Sequence, residues 1–145
     1  MRDDLDRQLC EKYPLIFADR NKSMMETCMC WGFEHGDGWY QILDSLCANI
    51  QSHIDWQNEN FAKGYPRYEK PVPQVVAQQV KEKFGTLRFY YNGGDDVIDG
   101  MVRMAESWSA VACEECGAPG TQNSQGWIKT LCETHRQERD KRYES

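Results

Sequence analysis

Apolar residues recur at intervals of three and four from Trp39 through Ile42, Leu43, Leu46, Cys47 and Ile50 to Ile54. That repeat is one buried stripe of a helix, predicted over about residues 38–56 with Asp37 as its cap. A second such run, Val97, Ile98, Met101, Met104, Ala105, Trp108, Val111 and Ala112, follows Asp95-Asp96. It predicts another helix, started by an aspartate and buried along that stripe. Between the two the period changes. Val76, Gln78, Val80, Glu82 and Phe84 alternate, and Gly85 precedes Thr86-Leu87-Arg88-Phe89-Tyr90-Tyr91. Val76, Val80 and Phe84 would also serve a helix, but the valines and the glycine favour a β-hairpin, with Leu87, Phe89 and Tyr91 on one face and Arg88 and Tyr90 on the other.

The remaining stretches are shorter. Residues 3–12 predict a short helix with Leu5, Leu9 and Cys10 on its apolar edge, stopped by Tyr13-Pro14. Leu15-Ile16-Phe17 reads as a buried segment, and Asp19 to Lys22 as a polar turn. Gly32, Gly36 and Gly38 stand among aromatics and predict a compact loop. Residues 57–74 contain Gly64, Pro66, Pro71 and Pro73 and read as loop. Arg136 to Ser145 mixes both signs of charge and reads as a solvated helical tail.

Cysteine spacing adds a chemical element. Cys113-Glu-Glu-Cys116 is followed after 15 residues by Cys132-Glu-Thr-His135. Two close pairs of soft donors suit a tetrahedral Zn²⁺ site, and four protein ligands leave no position for a substrate water. Gly117, Pro119, Gly120 and Gly126 provide turns, and Trp127 to Leu131 can return as a short strand. Such a site contributes folding free energy of about 10 kcal/mol or more in isolated fingers. Cys28, Cys30 and His35 suggest a second metal site only if Cys47 or His53 folds back as a fourth ligand. Buried thiols and a hydrogen-bonded histidine are the simpler account.

The 145 residues fit one domain, and a 40 % hydrophobic, 12 % aromatic composition can fill a core. A net charge of −6 disfavours a duplex nucleic-acid backbone as partner. The polar, charged start at Met1 to Arg7 does not read as a secretory signal. No apolar run is long enough for a membrane span, so a reducing cytoplasm and free thiols are expected. The expected fold class is α+β: two main amphipathic helices, a small antiparallel hairpin or sheet, and a C-terminal zinc knuckle. Residues 1–112 form its core, and 113–145 the knuckle and tail, packed as one domain.

Candidate ligand-binding residues are Lys81, Lys83, Arg88 and Tyr90 on the outer hairpin face. Trp31, Trp39 and the Tyr65–Lys70 loop, with Tyr68, are candidate stacking partners. Cations meet phosphates and rings meet bases. No nucleophile–base pair, HExxH helix or phosphate-cradling glycine loop stands out, so catalytic residues are not assigned. Asp95, Asp96 and Asp99 read as helix-start residues rather than ligands of a hard cation.

Glu34-His-Gly-Asp-Gly-Trp-Tyr, Val80-Lys-Glu-Lys-Phe-Gly-Thr-Leu-Arg-Phe-Tyr-Tyr, Met104-Ala-Glu-Ser, Cys113-Glu-Glu-Cys-Gly-Ala-Pro-Gly and Gly126-Trp-Ile-Lys-Thr-Leu-Cys-Glu-Thr-His form a set. Together they resemble a family of small zinc-knuckle proteins of tailed bacteriophages and prophages, over about residues 28–135. The resemblance implies a phage origin, a host-cytoplasm setting and a zinc knuckle. With the chemistry above, the expected function is counter-defence by sequestering a nucleotide-derived host immune signal, of cyclic or ADP-ribose type. The alternatives are a zinc-stabilised adaptor or inhibitor of a host protein, and a phosphodiesterase or nuclease. A homo-oligomer is compatible with each.

Overall fold

The computed structural model describes residues 1–144; Ser145, the last residue of the expected tail, lies outside them. Among the described residues the fold is α+β, with four α-helices and two small sheets. In chain order the elements are α1 (Asp3–Lys12), β1 (Phe33–Glu34), α2 (Tyr40–Ala62), β2 (Val76–Lys83), β3 (Thr86–Asn92), α3 (Asp96–Ser109), β4 (Thr121–Gln122), β5 (Thr130–Leu131) and α4 (Glu133–Glu144). The main sheet runs β1-β2-β3. β1 is parallel to β2, and β2 is antiparallel to β3.

One core joins the sheet to α2 and α3. Ile42, Leu43, Leu46, Cys47 and Ile50 of α2 are buried with Ala77, Val80, Leu87 and Phe89 of the hairpin and with Ile98, Val102 and Ala105 of α3. Strict alternation along β2 would put Ala77 and Val80 on opposite faces. A register shift between Ala77 and Gln79 inserts Gln78 as a bulge, which turns both inward. The expected alternation through Val76 and Gln78 is corrected accordingly.

Three helix expectations also change. Asp37 does not cap α2: a 3-10 turn over Asp37–Trp39 leads into it, and Asp37 Oδ1 accepts from the Arg2 amide at 2.7 Å. α2 continues to Ala62, past the predicted end. Asn58, read as loop, holds Val72 from within the helix, donating to its carbonyl at 3.0 Å and accepting from its amide at 2.7 Å. That tertiary pairing overrides the poor helix propensity of the Gln57–Asn60 stretch. On α3 the buried stripe is Ile98, Val102, Ala105 and Ser109. Val97, Met104, Trp108 and Val111 are exposed, Met104 by 75 %. The packing of α3 against α2 and β3 leaves these side chains outside the core.

Asp95 does cap α3, accepting from the Ile98 amide at 3.0 Å. It also meets His53 Nε2 at 2.8 Å, tying the middle of α2 to the start of α3. Burial alone would raise the Asp95 carboxyl; His53 and the helix-start amides outweigh it and hold the group below its ordinary range. Within the described residues no helix is long and apolar enough to cross a membrane.

His35 lies between Phe33 and Trp39, with ring centroids 6.0 and 5.6 Å apart. Its Nδ1 is 2.8 Å from the Gly36 carbonyl, and its buried Nε2 has no partner. Burial pushes its pKa from the ordinary 6.5 to about 4, against the opposite pull of the Gly36 carbonyl and Asp37. Between those values the unfolded chain binds a proton that the folded chain refuses. Stability contributed by neutral His35 is therefore present above 6.5 and lost as pH falls toward about 4, a change on the order of 3 kcal/mol. Urea unfolding of the parent and His35→Phe across that range should show a shallower pH slope in the variant. Equal slopes would contradict the assignment.

Candidate metal centre

Cys113, Cys116, Cys132 and His135 come together, their donor atoms all within 4.8 Å of one another. Cys113 Sγ is 3.5 Å and Cys132 Sγ 3.2 Å from His135 Nδ1, and the Cys116 and Cys132 sulfurs are 3.8 Å apart. A tetrahedron with metal–sulfur bonds of about 2.3 Å and metal–nitrogen bonds of about 2.05 Å has S···S edges of about 3.8 Å and S···N edges of about 3.6 Å. The three distances given lie near those edges. The sulfurs are too far apart for a disulfide, and all seven cysteines are free. Among the described residues this is the one cluster of its kind.

Local structure aims each donor. Cys113 to Cys116 is a tight turn closed by the Gly117 amide on the Cys113 carbonyl at 2.8 Å, with Gly117 at φ +81°. Cys132 immediately precedes α4, and His135 lies in that helix's first turn. The His135 and Thr134 amides point at the Cys132 sulfur and lower its pKa, favouring the thiolate a metal needs. At Cys116 the Ala118 amide pulls downward, but burial and the other two thiols prevail and raise the pKa. A cation among the sulfurs reverses that crowding. His135 uses Nδ1 toward the sulfurs, while its Nε2 lies 4.0 Å from the Glu138 carboxylate.

The module around the four donors sits on a prepared surface. The Glu114 carbonyl accepts from the Gly38 amide at 2.7 Å, and its Oε2 accepts from the Gly36 amide at 2.9 Å. A Cβ on Gly38 would lie 2.1 Å from the Cys113 carbonyl oxygen, and one on Gly36 2.4 Å from that of Glu114. Neither glycine has a left-handed φ, so close backbone approach explains both. Trp39 is fully buried, and its indole N–H donates to the Ala112 carbonyl at 2.9 Å, just before the first ligand.

The hairpin tip holds the other side. Phe84 and Gly85 have φ of +53° and +81° and reverse the chain between β2 and β3. The Gly85 carbonyl accepts from Thr130 Oγ1 at 2.6 Å. Lys129 joins Glu82 at 3.3 Å and Glu114 at 3.2 Å. Burial raises the Glu114 pKa against the pull of Lys129. Burial would lower Lys129, but the two glutamates hold it above its ordinary range.

The expected ligand residues are divided. Lys81 faces Arg88 across the hairpin, and Glu34 aligns with Lys81 from β1. Tyr90, paired with Gln79, shares that outer face. Lys83 ends β2 with its ammonium 5.6 Å from the Phe84 ring centroid. Trp39 is a correction: buried and bonded to Ala112, it offers no ring to a ligand. Tyr68 stands apart, its hydroxyl accepting from Trp56 Nε1 at 3.0 Å. It lines a groove of about 580 Å³ with Arg67, Lys70, Asp95 and Asp96 that no hairpin cation reaches. A second metal site is not assembled from Cys28, Cys30 and His35, since Cys47 is core and His53 pairs with Asp95. Asp99 accepts from the Tyr91 hydroxyl.

The seat residues Gly36 and Gly38 were the functional positions that sequence reasoning missed. Their signal was glycine two apart beside a tryptophan, which turn chemistry alone does not distinguish. Comparison with protein-family models, with curated proteins and with solved structures finds no match to this chain.

Gly38→Ala forces backbone apart on the metal side and should destabilise the fold by about 2–3 kcal/mol and speed metal loss to a chelator. Gly100→Ala, in α3 with open space around it, is the control and should be neutral or slightly stabilising. Thermal unfolding and chelator kinetics measure both; a Gly38→Ala protein matching the parent in each would contradict the seat.

Proposed function

We propose that this chain is a zinc-stapled phage counter-defence protein that binds and sequesters a nucleotide-derived immune signal in the host cytoplasm. Three thiolates and an imidazole in a near-tetrahedral set suit zinc among the common divalent ions. Four protein donors make the ion a staple, with no vacant position for hydrolytic chemistry. The observation that carries the ligand reading is the Lys81–Arg88 pair across β2 and β3 with Tyr90 on the same face. Two cations of fixed spacing suit a pyrophosphate or phosphodiester, and the exposed tyrosine suits a base. Resemblance to phage zinc-knuckle proteins supports the biological setting.

One observation favours a second reading, an adaptor or inhibitor of a host protein. Val97, Met104 and Trp108 line one exposed side of α3, with exposed Val111 just beyond its end, and an apolar helix face of that kind suits a protein groove.

Thermal unfolding with cyclic dinucleotides and with ADP-ribose-type signals separates the two. At about 100 times Kd a sequestered ligand adds about 2.7 kcal/mol and should raise Tm by roughly 5–10 °C. The shift should vanish in a Lys81→Glu, Arg88→Glu variant of unchanged metal content. A flat response to every signal sinks the first reading.

A further inference from the structure

Two helices of the core turn a common side outward. α2 and α3 run antiparallel: His53 meets Asp95 near one end, and Trp108 and Gln41 line one hollow at the other. On α2, Gln41, Ser45, Asn49 and Ser52 are spaced by four, four and three, which places them on one outer face. Ser45 is half-buried there and the other three are exposed. On α3, Val97, Met104 and Trp108 are exposed and Met101 is half-buried beside them, with exposed Val111 in the turn just beyond.

These α3 residues are spaced by four, three, four and three. That is the seam of a helix that lies along another helix. A separate seam of α3, Ile98, Val102, Ala105 and Ser109, already faces the core. The outward seam is matched about Met104. Val97 lies seven residues before it and Val111 seven after. Gly100 lies four before and Trp108 four after, Met101 three before and Ser107 three after. Two copies of α3 crossing antiparallel at Met104 thus set valine on valine, tryptophan on glycine and methionine on serine. The fold itself gives no reason for Gly100. Its φ is not left-handed, a Cβ there would meet nothing within 4 Å, and glycine inside a helix weakens it.

Charge selects the partner. Charged residues make up 28 % of the chain and its net charge is −6, so two copies repel one another over most of their surface. None of the outward residues of this α2–α3 face is charged. An acidic or basic partner finds no counter-charge here, whereas a second copy presents the same uncharged surface. Antiparallel crossing also sends the acidic α3 starts, Asp95, Asp96 and Asp99, to opposite ends of the contact. The polar groups of α2 tolerate being covered, because they bond within their own helix. Gln41 donates to Ser45 Oγ at 3.2 Å, and Asn49 donates to the Ser45 carbonyl at 2.8 Å.

We infer that this chain forms a two-fold dimer through the α2–α3 face, with Met104 on the axis and Trp108 of each copy seated over Gly100 of the other. The dimer takes up the α3 side that the adaptor reading offers to a host protein, and it goes beyond both functional readings. α3 has 14 residues, about 21 Å of helix, and α2 lies about 9 Å to its side. A face about 20 Å across is at the low end for specific interfaces, so the dimer is weak and reversible.

Sedimentation equilibrium of the metal-loaded full chain, from about 1 to 300 µM, tests it. The mass should rise from one chain toward two, with a Kd of about 10–100 µM. Met104→Glu and Met104→Lys alter an exposed position and are checked for unchanged metal content and circular dichroism. Each puts like charges together on the axis and should weaken association about tenfold or more. An equimolar mixture of the two variants should associate again, to within about threefold of the parent. A chain that stays single at every concentration overturns the inference and leaves the face to a different protein. Association that neither variant weakens, or that the mixture fails to restore, overturns it as well.

Discussion

The backbone of the first cysteine turn rests directly on the backbone of residues 36–38, and the rest of the architecture follows from that contact. Glu114 accepts the Gly36 and Gly38 amides with its side chain and its main chain. A methyl group at either glycine would overlap a carbonyl oxygen. Cys113, Cys116, Cys132 and His135 lie close together and could bind a metal ion, which would gather the cysteines of this turn.

Two further attachments make the docking three-sided. Trp39 fills the core beneath the seat and bonds the carbonyl that leads into Cys113. The hairpin tip reaches the other flank, where Lys129 sits between two glutamates. A buried carboxylate beside a lysine is costly to strip of its partner but adds little net stability. Its contribution here is register: Glu82 lies on the hairpin and Glu114 on the metal turn, so one ammonium fixes the distance between them. Neutral His35 adds a buried imidazole next to Trp39, which makes the same region sensitive to acid.

Elements whose cause is local could be read from the residues. The C-x-x-C and C-x-x-H pairs state their ligand geometry, Asp95 is followed at once by its helix, and Gly85 marks the hairpin. Elements whose cause is distant could not. β1 has two residues and exists only because β2 runs beside it. The last turns of α2 hold through Asn58 and Val72, and Ala77 faces inward because of a bulge. Apolar content in α3 does not reveal which side is covered, so the sequence pattern puts Met104 and Trp108 inside while they lie outside. Trp39 reads in sequence as a stacking ring because exposure is not written in a side chain. Gly36 and Gly38 carried the seat, but a glycine chosen for close approach looks in sequence like one chosen for a turn.

Amide hydrogen exchange at Gly36 and Gly38, before and after chelation and alongside metal analysis of freshly purified protein, tests the central claim most directly. The account predicts one zinc ion per chain and strong protection of both amides, lost when the ion is removed because Glu114 leaves them. Protein that carries no metal as purified, or that keeps both amides protected once stripped, would contradict it.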